Sequence, residues 1–190
     1  MTTVAAPAAE SASIRIVRVA CRALQVAAIV STAGIVFLVG MFASFAVGSS
    51  SVAMVLGTIN DALVAVQYVL LLPAVVALGS GALGGGSPRS RRVVAALGVV
   101  GIAGVALLQG LLAAGVLTFE QEIGPAGIAY IPLAAWFVAT GRQAARSGLD
   151  ERGTAFGIVG ASYLGFPVWA WRIAGRLGRL PIMRATSPKT

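Results

Sequence analysis

The sequence has no histidine, one cysteine (Cys21), one lysine (Lys189) and only 6 acidic residues in 190. Each shortage removes a class of chemistry. Without imidazole there is no histidine-activated serine or cysteine nucleophile, no histidine-ligated haem and no histidine metal site. A single cysteine closes no internal disulfide and forms no paired redox motif. The preceding "RVAC" places arginine where a lipoprotein signal needs an aliphatic residue, so Cys21 reads as a small apolar packing residue. Lys189 lies at the extreme tail, which excludes a Schiff-base lysine inside a helical bundle. Charge itself is scarce: 11% of residues are charged, against roughly 25% in soluble domains.

What replaces charge is apolar sequence. Hydrophobic residues make up 58% of the chain, and the mean hydropathy is +0.92. Most of the length is therefore expected to lie in lipid, leaving little for a soluble module. The net charge of +8 does not point to nucleic acid. The basic residues fall in short clusters between apolar runs, the usual distribution of topology signals rather than of a basic binding face.

The apolar runs predict an all-α, polytopic transmembrane helical bundle with about five membrane-embedded segments, four of them clear spans. A disordered tail is expected over 1–12 and a single transmembrane domain over 13–180, with spans near 23–47, 62–78, 93–117, 126–140 and 154–171. A second disordered tail is expected over 181–190. The 23–47 run has 25 uncharged residues, longer than the ~20 that cross a bilayer and too long for a signal-peptide core. Pro73 is expected to kink the second span. "TFEQEIGPAG" (118–127) reads as an exposed turn before the fourth span. "GALGGGS" lacks the strand before it and the Lys-Ser/Thr after it that a phosphate loop requires, so it reads as a linker.

Basic residues alternate along the chain. There are three before the first span (Arg15, Arg18, Arg22), none at 48–61, three in 79–92, none at 118–126 and three in 141–153. Four spans with a cytoplasmic N-terminus, in a bacterial inner membrane, satisfy this pattern. The tail does not fit: Arg172, Arg176, Arg179, Arg184 and Lys189 would end outside if 154–171 crossed. Transfer of each charge costs about 2.3 kcal/mol per 100 mV. A re-entrant hairpin broken around Gly165 and Pro167 keeps the tail inside but exposes backbone groups to lipid. Length and the Trp169–Trp171–Arg172 interface signature favour the fifth crossing, with the hairpin as the alternative.

Few residues invite a chemical role. Asp61 is the sharpest, because a carboxylate inside a bilayer is expensive and marks a functional site by default. Asp61 and Tyr68 share a helical face, as do Asn60 and Gln67, so a polar stripe facing the bundle interior is one reading. The favoured reading makes Asn60 and Asp61 a helix N-cap with no further role. Gln109 is expected to make an interhelical hydrogen bond. Glu120 and Glu122 suit a wet turn better than a cation site. Small residues four apart, as in Gly40/Ser44/Gly48, Ala106/Gly110/Ala114 and Gly157/Ala161/Gly165, suit close helix packing.

The stretches "INDALVAVQYVLLLP" and "YLGFPVWAWRIAGRL" resemble elements of small multi-pass bacterial membrane proteins of unknown function. That resemblance implies membrane location and a helical fold, and transfers no functional residue. The expected function is a non-enzymatic integral membrane protein, structural or accessory to a membrane complex. The alternative is a small transporter or channel with a polar path through Asp61, Gln67, Tyr68 and Gln109. No cofactor and no metal are expected. The expected partners are the lipid bilayer and either a membrane protein or a second copy of the chain, with no nucleic acid.

Overall fold

The computed structural model describes residues 6–80, 87–148 and 152–179, and among them every regular element is an α-helix. The helices are α1 (Ala6–Ala46), α2 (Ser50–Val69), α3 (Leu72–Gly79), α4 (Pro88–Ala113), α5 (Phe119–Arg146), α6 (Gly153–Gly160) and α7 (Phe166–Leu177). Four stretches are long and apolar enough to cross a membrane: Ile14–Ala46, Ser50–Gly79 (α2 with α3), Pro88–Ala113 and Phe119–Arg146. The bundle is therefore all-α with four candidate spans, as the hydropathy pattern predicts.

Several boundaries move from those read off the sequence, each for a local reason. Residues 6–12 belong to α1 instead of to a disordered tail. They are mostly alanine, the best helix former, and Pro7 falls in the first turn, where its missing N–H is no loss. The expected tail over 181–190 and the glycine-rich 81–86 linker lie outside the described residues. At α5 the correction is larger. Thr118 caps the helix: its side chain accepts from the Gln121 N–H while the Gln121 side chain accepts from the Thr118 N–H at 2.9 Å. This reciprocal cap starts the helix at Phe119 and places Glu120, Glu122 and Pro125 inside it. The T-x-x-Q spacing is the signal that the glycine and proline of "EIGPAG" obscured.

Likewise, α2 starts at Ser50 behind Ser49, so Asn60 and Asp61 stand eleven and twelve residues into the helix and cap nothing. The break at Leu70–Leu71 follows from Pro73, which has no N–H to give to Val69. Around it the Leu71 and Ala74 amides bond three residues back, at 3.0 and 2.9 Å, before α3 resumes.

Neighbouring helices run antiparallel and close into a ring: α1 against α2, α2 and α3 against α4, α4 against α5, α5 against α6, α6 against α7, and α7 back against α1. Glycine sets the tightest seams. On α4, Gly98, Gly101 and Gly104 face Trp136, Leu133 and Ala129 of α5, so that one number falls as the other rises. Between α5 and α6, Gly141 meets Gly153 and Gly157 meets the Phe137 carbonyl backbone to backbone.

The segment expected to form a fifth span over 154–171 does not run as one helix. It rises along α5 as α6, turns over residues 161–165 and descends along α1 as α7. The direction is read from its neighbours. Gly153 lies beside Gly141, Tyr163 at the tip beside Gly34 and Asn60, and Trp171 and Arg172 back alongside Ala28 and Ile29. The turn satisfies its own backbone: Ser162 accepts from the Phe166 N–H through its carbonyl (3.0 Å) and from the Gly165 N–H through its hydroxyl (3.1 Å). That removes much of the cost that weighed against a hairpin. Gly160 permits the tight return, since a Cβ there would collide with the Trp169 indole.

One consequence concerns charge. Of the 14 basic residues, all except Arg184 and Lys189 lie among the described residues, and every one of these sits at the same end of the bundle. Asp61, Glu120 and Glu122 lie in the opposite half.

Candidate functional site

The centre of the bundle divides into an aromatic layer and a polar layer. Trp136 and Phe137 of α5 and Phe166 and Trp169 of α7 are each at most 1% exposed. They stack edge-on, with ring centroids 4.6 Å apart for Phe137–Trp169 and 5.8 Å for Trp136–Trp169. Such pairs are worth roughly 0.5–1.5 kcal/mol each beyond their buried area. Tyr68 joins this layer through Phe166 and touches Tyr130 of α5, its centroid 6.2 Å away.

On the side away from the arginines, polar groups from four elements converge. Tyr163, at the hairpin tip, donates its hydroxyl to Asn60 Oδ1 at 2.8 Å. Asn60 in turn donates to Asp61 Oδ1 at 3.3 Å. On the neighbouring pair of helices Gln109 of α4 donates to Glu122 Oε1 of α5 at 2.8 Å. Asp61 and Glu122 are near enough for their charges to act on each other, and Tyr130 and Tyr163 lie within the reach of Glu122 and Asp61 respectively. Two of the three tyrosines thus stand beside the two carboxylates, and Tyr68 joins them through Tyr130.

The structure places the four residues singled out from sequence unequally. Asp61 is half-buried in the polar layer, and Tyr68 bridges the polar and aromatic layers. Gln109 reaches the cluster through Glu122, making an interhelical bond of the kind expected of it. Gln67 stands apart. It is fully buried one heptad below Asn60, with neither side-chain amide atom hydrogen-bonded. Ser31 Oγ on α1 is likewise buried without a partner. Tyr130, Tyr163 and the pairing of Glu122 were missed from sequence. The available signal is that each tyrosine interrupts an apolar run with a hydroxyl that needs a partner.

Chemically, the cluster offers carboxylate, amide and phenol oxygens with no basic residue beside them, since the described arginines are at the other end. An intramembrane carboxylate without a countercharge is neutralised by a proton or balanced by a cation. No group of three or more His, Cys, Asp or Glu side chains stands together among the described residues. Below the cluster Trp136, Phe137, Phe166 and Trp169 pack together in the bundle interior. The small-residue triplets serve unevenly: Gly40 packs on Leu56 and Gly157 on Phe137, whereas nothing lies within 4 Å of a Cβ built on Gly110. Comparison with protein-family models, with curated proteins and with solved structures finds no match to this chain or its fold.

Proposed function

We propose that the protein is a non-enzymatic, multi-pass protein of the bacterial inner membrane, accessory to a membrane assembly, with both ends of the chain cytoplasmic. The observation that carries the topology is the collection of all described arginines at one end of the bundle. Basic residues near span ends are retained in the cytoplasm. The hairpin resolves the tail by returning Arg172, Arg176 and Arg179 to the end that already holds Arg15, Arg18 and Arg22. A fifth crossing would move the five basic tail residues against the membrane potential at about 2.3 kcal/mol each per 100 mV. Paired reporter fusions after Ser147 and after Thr190 test this. Matching cytoplasmic signals are expected, and an external signal after Thr190 defeats the hairpin topology.

The accessory role is the reading in which the apolar faces left on α1 and α2, among them Val36, Phe42, Val52 and Met54, offer a surface to a partner helix as well as to lipid, and the packed aromatic layer is structural. Purification from native membranes in a mild detergent is expected to retain a stoichiometric partner or a second copy. A lone monomer under those conditions overturns the role.

One observation favours a second reading, a small transporter. The Tyr163–Asn60 bond ties the tip of a broken helical hairpin to the turn that bears Asp61, and discontinuous helices at mid-depth are where transporters bind ions. On that reading Asp61→Asn abolishes ion-dependent flux in reconstituted vesicles while expression stays intact.

A further inference from the structure

The face between α1 and α7 carries an open groove of about 640 Å³, within the ~300–1,000 Å³ of small-molecule sites. Its walls are Ala28, Ile29 and Thr32 on α1 and Val168, Trp171 and Arg172 on α7, with Pro167 at the tip side. Almost everything it presents is hydrocarbon. The Thr32 hydroxyl is spent on the Ala28 carbonyl at 2.8 Å, and Ile29, Val168 and Trp171 are each more than half exposed.

The polarity changes at one end only. On α1, Ile29 stands a heptad from Arg22, and Arg22, Arg18 and Arg15 follow at four- and three-residue steps, so all four share one helical stripe. On α7, Val168, Arg172 and Arg176 follow at four-residue steps, and Arg179 stands just past the end of the helix. Because the two helices are antiparallel, both arginine ladders emerge at the same mouth. An apolar trough that opens between two guanidinium ladders matches a molecule with a hydrocarbon tail and an anionic head, and Trp171 beside Arg172 is the usual residue pair at the headgroup boundary.

We propose that this groove is a selective site for an anionic phospholipid, its acyl chain lying against Ala28, Thr32 and Val168 and its phosphate meeting Arg172 and Arg176. The site rests on the protein being embedded in a bilayer and is independent of whether it transports.

Trp171 supplies the probe, because Trp136 and Trp169 are at most 1% exposed whereas Trp171 is 58% exposed. The full chain is reconstituted in mixed phosphatidylglycerol–phosphatidylcholine vesicles, with bromine on the acyl chains of one lipid at a time. At equal mole fraction brominated phosphatidylglycerol is expected to quench severalfold more effectively than brominated phosphatidylcholine. Arg172→Gln with Arg176→Gln is expected to bring that preference close to one, since a single arginine near an anionic headgroup is worth up to about fivefold. Thr32→Phe keeps every arginine and fills the groove from an exposed position on α1, and it is expected to abolish the preference. Equal quenching by the two wild-type preparations overturns the site and leaves membrane embedding intact, and no quenching by either overturns both. An unchanged preference in Thr32→Phe also overturns the site, since it shows diffuse attraction of anionic lipid to the basic end. If the double variant does not fold, the wild-type comparison and Thr32→Phe decide alone.

Discussion

The Tyr163–Asn60 bond spans 103 residues and is the contact that fixes the hairpin tip against α2, so its removal measures how firmly that tip is held. Tyr163→Phe deletes one oxygen and leaves the ring in place. The bond is 2.8 Å long, near the centre of the O–H···O distribution, and Asn60 is 7% exposed, so water does not readily replace the lost donor. Hydrogen bonds between helices in a bilayer average ~0.6 kcal/mol and reach ~1.7, whereas a buried acceptor left unpaired costs roughly 1–3 kcal/mol. A coupling of about 1 kcal/mol is therefore expected, about a fivefold shift in the unfolding equilibrium. The assay is a double-mutant cycle with Asn60→Ala, each protein unfolded by SDS titration from mixed micelles. Asn60→Ala also removes the 3.3 Å bond to Asp61, but that loss is common to both arms and cancels. Tyr163→Phe is expected to cost about 1 kcal/mol with Asn60 present and no more than about 0.3 kcal/mol in the Asn60→Ala background. Equal costs in the two backgrounds would refute the contact, and with it the docking of the hairpin tip.

Gly101→Ala is expected to destabilise by about 1–3 kcal/mol, because its Cβ would meet the Leu133 backbone, which cannot rotate away. Gly110→Ala on the same helix, with nothing within 4 Å of the new methyl, is expected to be neutral or stabilising by up to about 1 kcal/mol; thermal melts in detergent check both, and equal effects argue against the α4–α5 seam. Gly157→Leu is expected to lift α6 from α5, because even a methyl there meets the Phe137 carbonyl. Its readout, in a Cys21→Ala background, is new accessibility of a cysteine placed at Ala161 to a water-soluble maleimide, and continued protection of that cysteine counts against the docking. Gln109→Leu strips Glu122 of its donor at 2.8 Å and is expected to cost about 1–3 kcal/mol. Glu122→Gln, which keeps an acceptor in place, is expected to cost less, and the reverse order in the same melts speaks against the pair.

Part of the polar cluster was visible in the sequence. Asp61 stood out because its surroundings are apolar, Tyr68 by its heptad relation to Asp61, and Asn60 and Gln67 by the same relation to each other. What misled was local chemistry. Asn60–Asp61 has the composition of an N-cap, yet the apolar run ahead of it back to Ser50 is mostly exposed, and in lipid a helix is what satisfies its backbone. "EIGPAG" has the composition of a turn, yet the Thr118–Gln121 box fixes a helix start before it. At α5 a cap about one turn ahead of the motif decided the matter, whereas at α2 Ser49 makes no cap bond and the apolar run itself decided it. The tyrosines at 130 and 163 could not be linked to Asp61 from sequence, because periodicity relates residues within one helix and says nothing of which face meets which neighbour.

The sequence alone determined the solvent, the helical class and the four long apolar helices, because hydropathy is a sum over residues adjacent in the chain and an isolated backbone in lipid has helix as its one open solution. It also fixed the two arginine ladders, since three- and four-residue spacing carries directly into a shared stripe. The tertiary structure alone decided that 154–171 doubles back, and hence to which end its arginines return. Over those residues a span and a hairpin have the same hydropathy. They differ in whether neighbouring helices offer a seam close enough to shelter a broken backbone. Gly141 and Phe137 on α5, Gly34 on α1 and Asn60 on α2 provide that seam, and all of them lie outside the segment whose fate they settle.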